Sequence, residues 1–288
     1  VDTTDPAVSI SDTPAAETSS QAADMTVTSS DGGSGLASTT CTIDNTATTC
    51  GDALSGLADG SHTYVATATD VAGNSASASY TWLIDTVDPT VSLADGPAAE
   101  TSSTAADLTV TSADASSGLA STTCDLDGVA QADCGGVVSG LADGSHTFTA
   151  TATDDVGNDA TASFTWVVDT TDPAASIDSQ PADNNNNNDD ATFTWTSSDA
   201  TSGVASYECS FDDGAYAACV SGDDMGDGLA DGTHTFAVRA IDNSSNTGSS
   251  ATYSWLVDTT DPAVSISDSP SDPTNSQDAD FTFTVSDD

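Results

Sequence analysis

Apolar and polar residues alternate at period two in a pair of runs that returns three times along the chain. In the first run Tyr64, Ala66 and Ala68 face one way and Thr63, Val65, Thr67 and Thr69 the other. In the second, Ala76, Ala78, Tyr80, Trp82 and Ile84 alternate with Ser75, Ser77, Ser79 and Thr81. Between them, Asp70-Val71-Ala72-Gly73-Asn74 supplies residues that tolerate positive φ. The pattern predicts a β-hairpin ended by Pro89, because proline has no amide to give to a ladder. Its aromatic face requires an opposing sheet.

The stretch from Gly56 to Pro89, GLADGSHTYVATATDVAGNSASASYTWLIDTVDP, recurs at 140–173 and, more loosely, at 228–262. The linker Asp-Thr-x-Asp-Pro starts at Asp2, Asp85, Asp169 and Asp258, with steps of 83, 84 and 89 residues. A fixed period of this size identifies an array of similar units. The expected units are 1–84, 85–168 and 169–257, with 258–288 as the start of a fourth, so the chain is expected to be a window on a longer polypeptide.

Within unit one, Val8 and Ile10 mark a short strand, Thr13 to Ala23 a loop, and Met25 to Thr28 a second strand. Leu108–Val110, Phe193–Trp195 and Phe281–Phe283 are the counterparts of that second strand. A Gly-rich loop follows at 31–35, then a third strand carrying Cys41 and a fourth carrying Cys50. Asn184 to Asn188 reads as a loop insertion that lengthens the third period. Six or seven short strands in about 84 residues, with no helical periodicity, predict an all-β fold of immunoglobulin-like sandwiches arranged end to end.

Charge narrows the partners. One Lys or Arg stands against 46 Asp and Glu, for a net charge of −45. Nucleic acid is excluded, since its binding rests on cationic side chains at phosphates, and so is an anionic membrane surface. No stretch approaches the roughly 20 apolar residues of a membrane helix. Such a surface attracts cations, and it implies a counterion-rich medium such as seawater or brine, without which self-repulsion opposes compactness.

Each unit carries two cysteines around turn residues: Cys41 and Cys50, Cys124 and Cys134, Cys209 and Cys219. Cysteines flanking a hairpin can meet across it, which reads as three local disulfides and an environment outside the cytosol. The alternative is a zinc site, which takes four nitrogen or sulfur ligands where each unit offers a single histidine.

In a sandwich of this kind the N-terminal linker, the loop after the second strand and the turn of the last hairpin share one pole. That pole gathers Asp2, Asp5, Asp31, Asp70 and Asn74 in unit one, and Asp85, Asp88, Asp114, Asp154 and Asn158 in unit two. Unit three contributes Asp169, Asp172, Asp199 and Asp242, and the fourth linker Asp258 and Asp261, with Asp287 beyond. Asp59, Asp143 and Asp231, in the Gly-Leu-Ala-Asp-Gly turns, present a further carboxylate from the opposite pole of the preceding unit. Clustered carboxylates repel unless a cation sits among them, and Ca²⁺ takes 6–8 oxygen ligands. The expectation is a calcium site at each junction. The alternative is that these residues cap turns, as Asp and Asn do routinely.

His62, His146 and His234 recur at one position and read as structural. Trp82, Trp166 and Trp255 alternate inward with Tyr80, Phe164 and Tyr253 and read as core, as does Trp195 beside Phe193. No unrepeated polar constellation suggests an enzyme.

The succession Gly-Leu-Ala-Asp-Gly-Ser/Thr-His-Thr-aromatic, Asp-x-x-Gly-Asn, aromatic-x-Trp and Asp-Thr-x-Asp-Pro resembles the tandem bacterial immunoglobulin-like repeats of very large extracellular surface proteins and adhesins. The third unit departs from it, with Ser245 in place of the Gly before Asn246. The resemblance implies extracellular stalks and fibres, often stiffened by calcium between domains. The expected role is a segment of such a stalk, partnered by neighbouring repeats. Two alternatives are a multi-chain filament or sheath of many copies and a carbohydrate-binding accessory module.

Overall fold

The alternating runs fold as hairpins in a computed structural model that describes residues 1–182, 191–224, 228–273 and 275–286. The expected loop at Asn184–Asn188 and the candidate ligand Asp287 lie outside the described residues. Every regular element among the described residues is a strand. In chain order these are β1 (Ala7–Ser11), β2 (Glu17–Thr18), β3 (Thr26–Ser30), β4 (Leu36–Ile43), β5 (Thr46–Thr48), β6 (Gly60–Asp70) and β7 (Ser75–Ile84). There follow β8 (Thr90–Ala94), β9 (Glu100–Thr101), β10 (Ala105–Ala113), β11 (Leu119–Leu126), β12 (Val129–Ala130), β13 (Gly136–Ser139), β14 (Gly144–Asp154) and β15 (Asp159–Val168). The remainder are β16 (Ala174–Ser179), β17 (Thr194–Ser198), β18 (Val204–Phe211), β19 (Ala217–Ala218), β20 (Gly232–Asp242), β21 (Ala251–Val257), β22 (Ala263–Asp268) and β23 (Thr282–Ser286).

The chain divides into two compact units: Val1–Gly96 with Ala106–Val138 and His146–Thr165, and Pro97–Ala105 with Ser139–Ser145 and Trp166–Asp288. In the first unit, β6 and β7 pair from Gly60↔Ile84 to Thr69↔Ser75 and sit within a five-stranded sheet of order β2-β7-β6-β4-β5. Period two puts Tyr64, Ala66, Trp82 and Ile84 on the inner face, where they are buried with Ala23, Met25 and Cys41. The β1–β3 pair closes over that face through Val8, Ile10 and Val27. The Tyr80 hydroxyl donates to the Pro14 carbonyl at 2.6 Å, satisfying the polar end of a half-buried ring. The same unit holds the β8–β10 pair and the run β12-β11-β14.

The second unit repeats this arrangement with larger side chains. Its sheet runs β19-β18-β20-β21. Phe236, Val238, Trp255 and Val257 on that sheet bury against Phe193 and Trp195, from β17 and the residues before it, with Ala191 and Cys209. Phe193 stacks on Phe236 at 4.1 Å and meets Trp255 edge-on at 5.2 Å. All four tryptophans are 4% exposed or less, which places them in the core as the alternation predicts.

The six cysteines form the three expected pairs, Cys41–Cys50, Cys124–Cys134 and Cys209–Cys219, with Cα separations of 5.2, 5.3 and 5.8 Å. No thiol is left for a zinc site. Each closes a loop of about ten residues, which stabilises by about 2.7 kcal/mol on the chain-entropy account.

Two local readings need correction. Cys50 lies beyond β5, two residues past its end, rather than in a strand. The stretch 13–23 is not all loop: β2 runs parallel to β7, with Leu83 N–H donating to the Ala16 carbonyl and Asp85 N–H to that of Thr18. Two residues held by backbone bonds to a sheet edge leave no side-chain period to read. The equivalent β9 pairs parallel with β15 through Glu100 and Thr101.

Candidate metal centre

Three segments deliver one aspartate each to the same place, and they do so three times. Asp2, Asp31 and Asp70 come together, as do Asp85, Asp114 and Asp154, and Asp169, Asp199 and Asp242, the carboxylate oxygens of each trio lying within 4.8 Å of one another. One residue of each trio comes from the linker, one from the loop after the short second strand, and one from the end of the long hairpin strand.

The local sequence explains the placement. In β4 the register to β6 shifts between Leu36 and Ser38, so that Leu36 meets Asp70 at the strand's end. The same shift occurs at Leu119/Ser121 against Asp154 and at Val204/Ser206 against Asp242. A bulge of this kind re-aims a strand end and is common beside functional sites. The hairpin turn then closes with Asp70 N–H donating to the Asn74 carbonyl at 3.0 Å and Gly73 N–H to the Asp70 carbonyl at 3.2 Å. Its fourth position is left-handed, at φ 96° in Gly73 and 92° in Gly157. Ser245 takes the same region at φ 71°, so the departure in the third repeat leaves the turn intact.

Asn74, Asn158 and Asn246 organise the trios rather than extend them. Asn158 Nδ2 donates to Asp154 Oδ2 at 2.7 Å and to the Asp85 carbonyl at 3.1 Å, and Asn246 Nδ2 to Asp242 Oδ2 at 2.7 Å and the Asp169 carbonyl at 2.8 Å. Asn74 does the same toward Asp70 and the Asp2 carbonyl. The asparagines therefore turn a nitrogen toward the cluster. Asp114 Oδ1 accepts from Ser116 and Gly118 N–H, while Asp199 Oδ1 accepts from Thr201, Ser202 and Gly203 N–H.

Amide and hydroxyl donors keep several of these acids ionised. Burial opposes ionisation of Asp85, but the Ser117 hydroxyl and amide and the Val87 amide outweigh it and hold the carboxyl below the usual range. Asp154 and Asp70 are likewise penalised by burial and brought down overall by their asparagine and turn amides. Asp169 is lowered, against burial, by Ser202 and the Thr171 amide, and Asp2 chiefly by the Thr4 and Ser34 amides.

All donors in the trios are oxygen, the chemistry of a hard cation. Two ligands on opposite sides of an ion at about 2.4 Å stand about 4.8 Å apart, so each trio can reach a single ion. In the third trio Asp199 Oδ2 is buried with no hydrogen-bond partner, and Ser202 Oγ beside it is in the same state. An anionic oxygen in that condition fits a cation. The residues present thus suit a bound divalent ion.

The other candidate residues lie elsewhere. Asp59 Oδ1 accepts from Thr86 N–H at 3.1 Å and from its hydroxyl at 2.9 Å. Asp143 holds Thr170 and Thr171 in this way, and Asp231 holds Thr259 and Thr260. These turn aspartates tether the linker rather than join a trio. Asp5, Asp88, Asp172 and Asp261 are exposed and outside the trios, and Asp258 Oδ1 caps Thr260 N–H at 3.1 Å. Sequence reasoning missed the serine of the recurring Ser-Gly step, Ser34, Ser117 and Ser202, which gives its amide to the linker aspartate each time. It also missed Asp44, Asp127 and Asp212, which hydrogen-bond the three histidines at 2.7, 2.7 and 2.8 Å. The signal for both was recurrence at fixed positions.

No family model matches the chain, and no curated protein matches it. Among solved structures, the chain is similar to a tetra-tandem repeat in the extending region of a large adhesion protein, at 21% identity and a TM-score of 0.36, over 97% of this chain and 81% of that one. It is similar to a structure concerning host cell surface retention of a 1.5-MDa bacterial ice-binding adhesin, at 16% identity and 0.35, over 89% and 98%. It is also similar to protocadherin gamma B2 extracellular cadherin domains 3–6, at 14% identity and 0.35, over 88% and 78%. These neighbours are tandem repeats of adhesion proteins; what this chain does rests on its own residues.

Proposed function

We propose that this chain is a structural segment of a long extracellular stalk or adhesin, in which 1–84, 85–168 and 169–257 fold as successive immunoglobulin-like domains and calcium fixes each linker to the domain it enters. The observation that carries this reading is the threefold return of the aspartate trio, each including the linker's own first aspartate. The ions would be held by Asp2, Asp31 and Asp70, by Asp85, Asp114 and Asp154, and by Asp169, Asp199 and Asp242. A bound calcium supplies charge neutralisation and a rigid oxygen-coordinated joint. Calcium is preferred to magnesium because three carboxylates drawn from separate segments suit its irregular coordination better than strict octahedral geometry. The disulfides support an extracellular location, and the charge supports a saline one. The segment is read as non-catalytic, with neighbouring repeats as its main partners.

A strand of about 11 residues spans about 36 Å, so three domains in line reach on the order of 100 Å. Small-angle scattering of the purified chain tests the reading. With calcium the maximum dimension is expected near that length, and chelation is expected to broaden the distance distribution as the joints loosen. A compact profile in calcium refutes the stalk.

A further inference from the structure

The recurring histidines sit between two acceptors. His62 Nδ1 is 2.7 Å from Asp44 Oδ2, and its Nε2 is 2.7 Å from the Ala58 carbonyl. His234 repeats this in the second unit, with Asp212 Oδ2 and the Ala230 carbonyl each at 2.8 Å. A carbonyl has no proton to give, and an ionised carboxylate has none. Both ring nitrogens must therefore donate, which only the imidazolium can do.

The two ends of this bridge belong to different elements. Asp44 lies in the turn between β4 and β5, where its Oδ1 also accepts Thr63 N–H at 2.8 Å. Ala58 lies in the turn leading into β6, and its neighbour Asp59 tethers Thr86 of the linker. His62 is 8% exposed, with the Trp82 ring of β7 at 5.7 Å on its remaining side. The charged group that faces the ring is Asp44; the Asp59 carboxylate is engaged by Thr86. In the third repeat Phe211 and Trp255 pack at 5.7 and 5.8 Å, and Asp231 is engaged by Thr259 and Thr260.

We propose that these histidines are proton-operated latches. Protonated, each pins the Gly-Leu-Ala-Asp-Gly turn to the hairpin and so steadies the aspartate that tethers the outgoing linker. Loss of the Nε2 proton places two lone pairs face to face at the Ala58 carbonyl, and the turn lets go while Asp44 keeps its bond to Nδ1. The direction of titration agrees. Burial pulls the His62 imidazolium down, but the Ala58 carbonyl and Asp44 together more than offset it and the net shift is upward. For His234 the Ala230 carbonyl is the main cause of the rise. A raised folded value means the latch contributes in full below the ordinary histidine range and loses its contribution as pH climbs through the folded value.

Asp44→Asn isolates the proton's role. Position 44 has φ 48°, which asparagine tolerates. Its Oδ1 can keep Thr63 N–H while Nδ2 donates to a neutral His62, whose Nε2–H still serves Ala58. Amide exchange of the segments around Ala58 and Thr86, corrected for intrinsic rates and followed in saturating calcium, reads the latch. The wild type is expected to lose protection about tenfold between pH 6 and pH 9, the worth of one charge-assisted hydrogen bond, while Asp44→Asn stays flat. Nitrogen chemical shifts of the wild-type ring are expected to show both nitrogens protonated at pH 6. A singly protonated ring at pH 6, a flat wild-type profile, or a fall in Asp44→Asn equal to that of the wild type overturns the proposal. Should Asp44→Asn fail to fold, the ring shifts and the wild-type profile decide it alone.

Discussion

Chelation of divalent cations in 1 M monovalent salt is expected to lower the melting temperature by about 10–20 °C. A ligand at a hundred times its dissociation constant stabilises by about 2.7 kcal/mol. About 4–8 °C accompanies each kcal/mol in a domain of fewer than about 100 residues. High salt matters because the net charge of −45 makes any cation stabilising at low ionic strength. At 1 M the Debye length falls to about 3 Å, so the monovalent salt already supplies the general screening and what chelation removes is coordination. Asp114→Asn sharpens the test. Its Oδ1 retains the Ser116 and Gly118 amides, and only one anionic ligand is lost. With calcium present this variant melts below the wild type; in chelator it melts at or above it, because a repelling charge has gone. A calorimetric scan that shows the same sign in both conditions contradicts a coordinated ion.

Trp255→Ala costs about 3–5 kcal/mol, the range for removing a large aromatic from a packed core. Trp255 is 1% exposed and touches Phe193, Phe211, His234 and Tyr253 at centroid distances of 5.2 to 6.2 Å. The expected result is loss of the corresponding melting transition or its fall by about 15 °C or more. Trp255→Phe is expected to cost much less. It leaves a smaller void, and it removes an indole N–H that is buried without a partner. Equal losses in the two variants would mean that the ring's volume is not what the core depends on.

The hairpins, the inward tryptophans and the cysteine pairs were legible because each follows from a rule of period or spacing. Tyr64, Ala66 and Trp82 alternate, and alternation is what a sheet with one covered face requires. The trios were half legible. Topology alone brings Asp2, Asp31 and Asp70 to one pole, but which of the pole's acids converge depends on strand-end bulges and turn geometry. Asp5 and Asp88 share the linker with Asp2 and Asp85 and point elsewhere, a difference no spacing encodes. Asn74 looked like a ligand by residue type, yet its amide nitrogen faces Asp70. The strand β2 was invisible, since its bonds are all backbone.

The reading stands or falls on whether the acids that the linker, the short loop and the hairpin bring together hold an ion. Isothermal titration of calcium into metal-free protein in 1 M sodium chloride counts them directly. The expected result is saturable binding of three ions per chain, one for each trio, dropping by one in Asp114→Asn. Heat that never saturates, or a stoichiometry indifferent to Asp114→Asn, contradicts it.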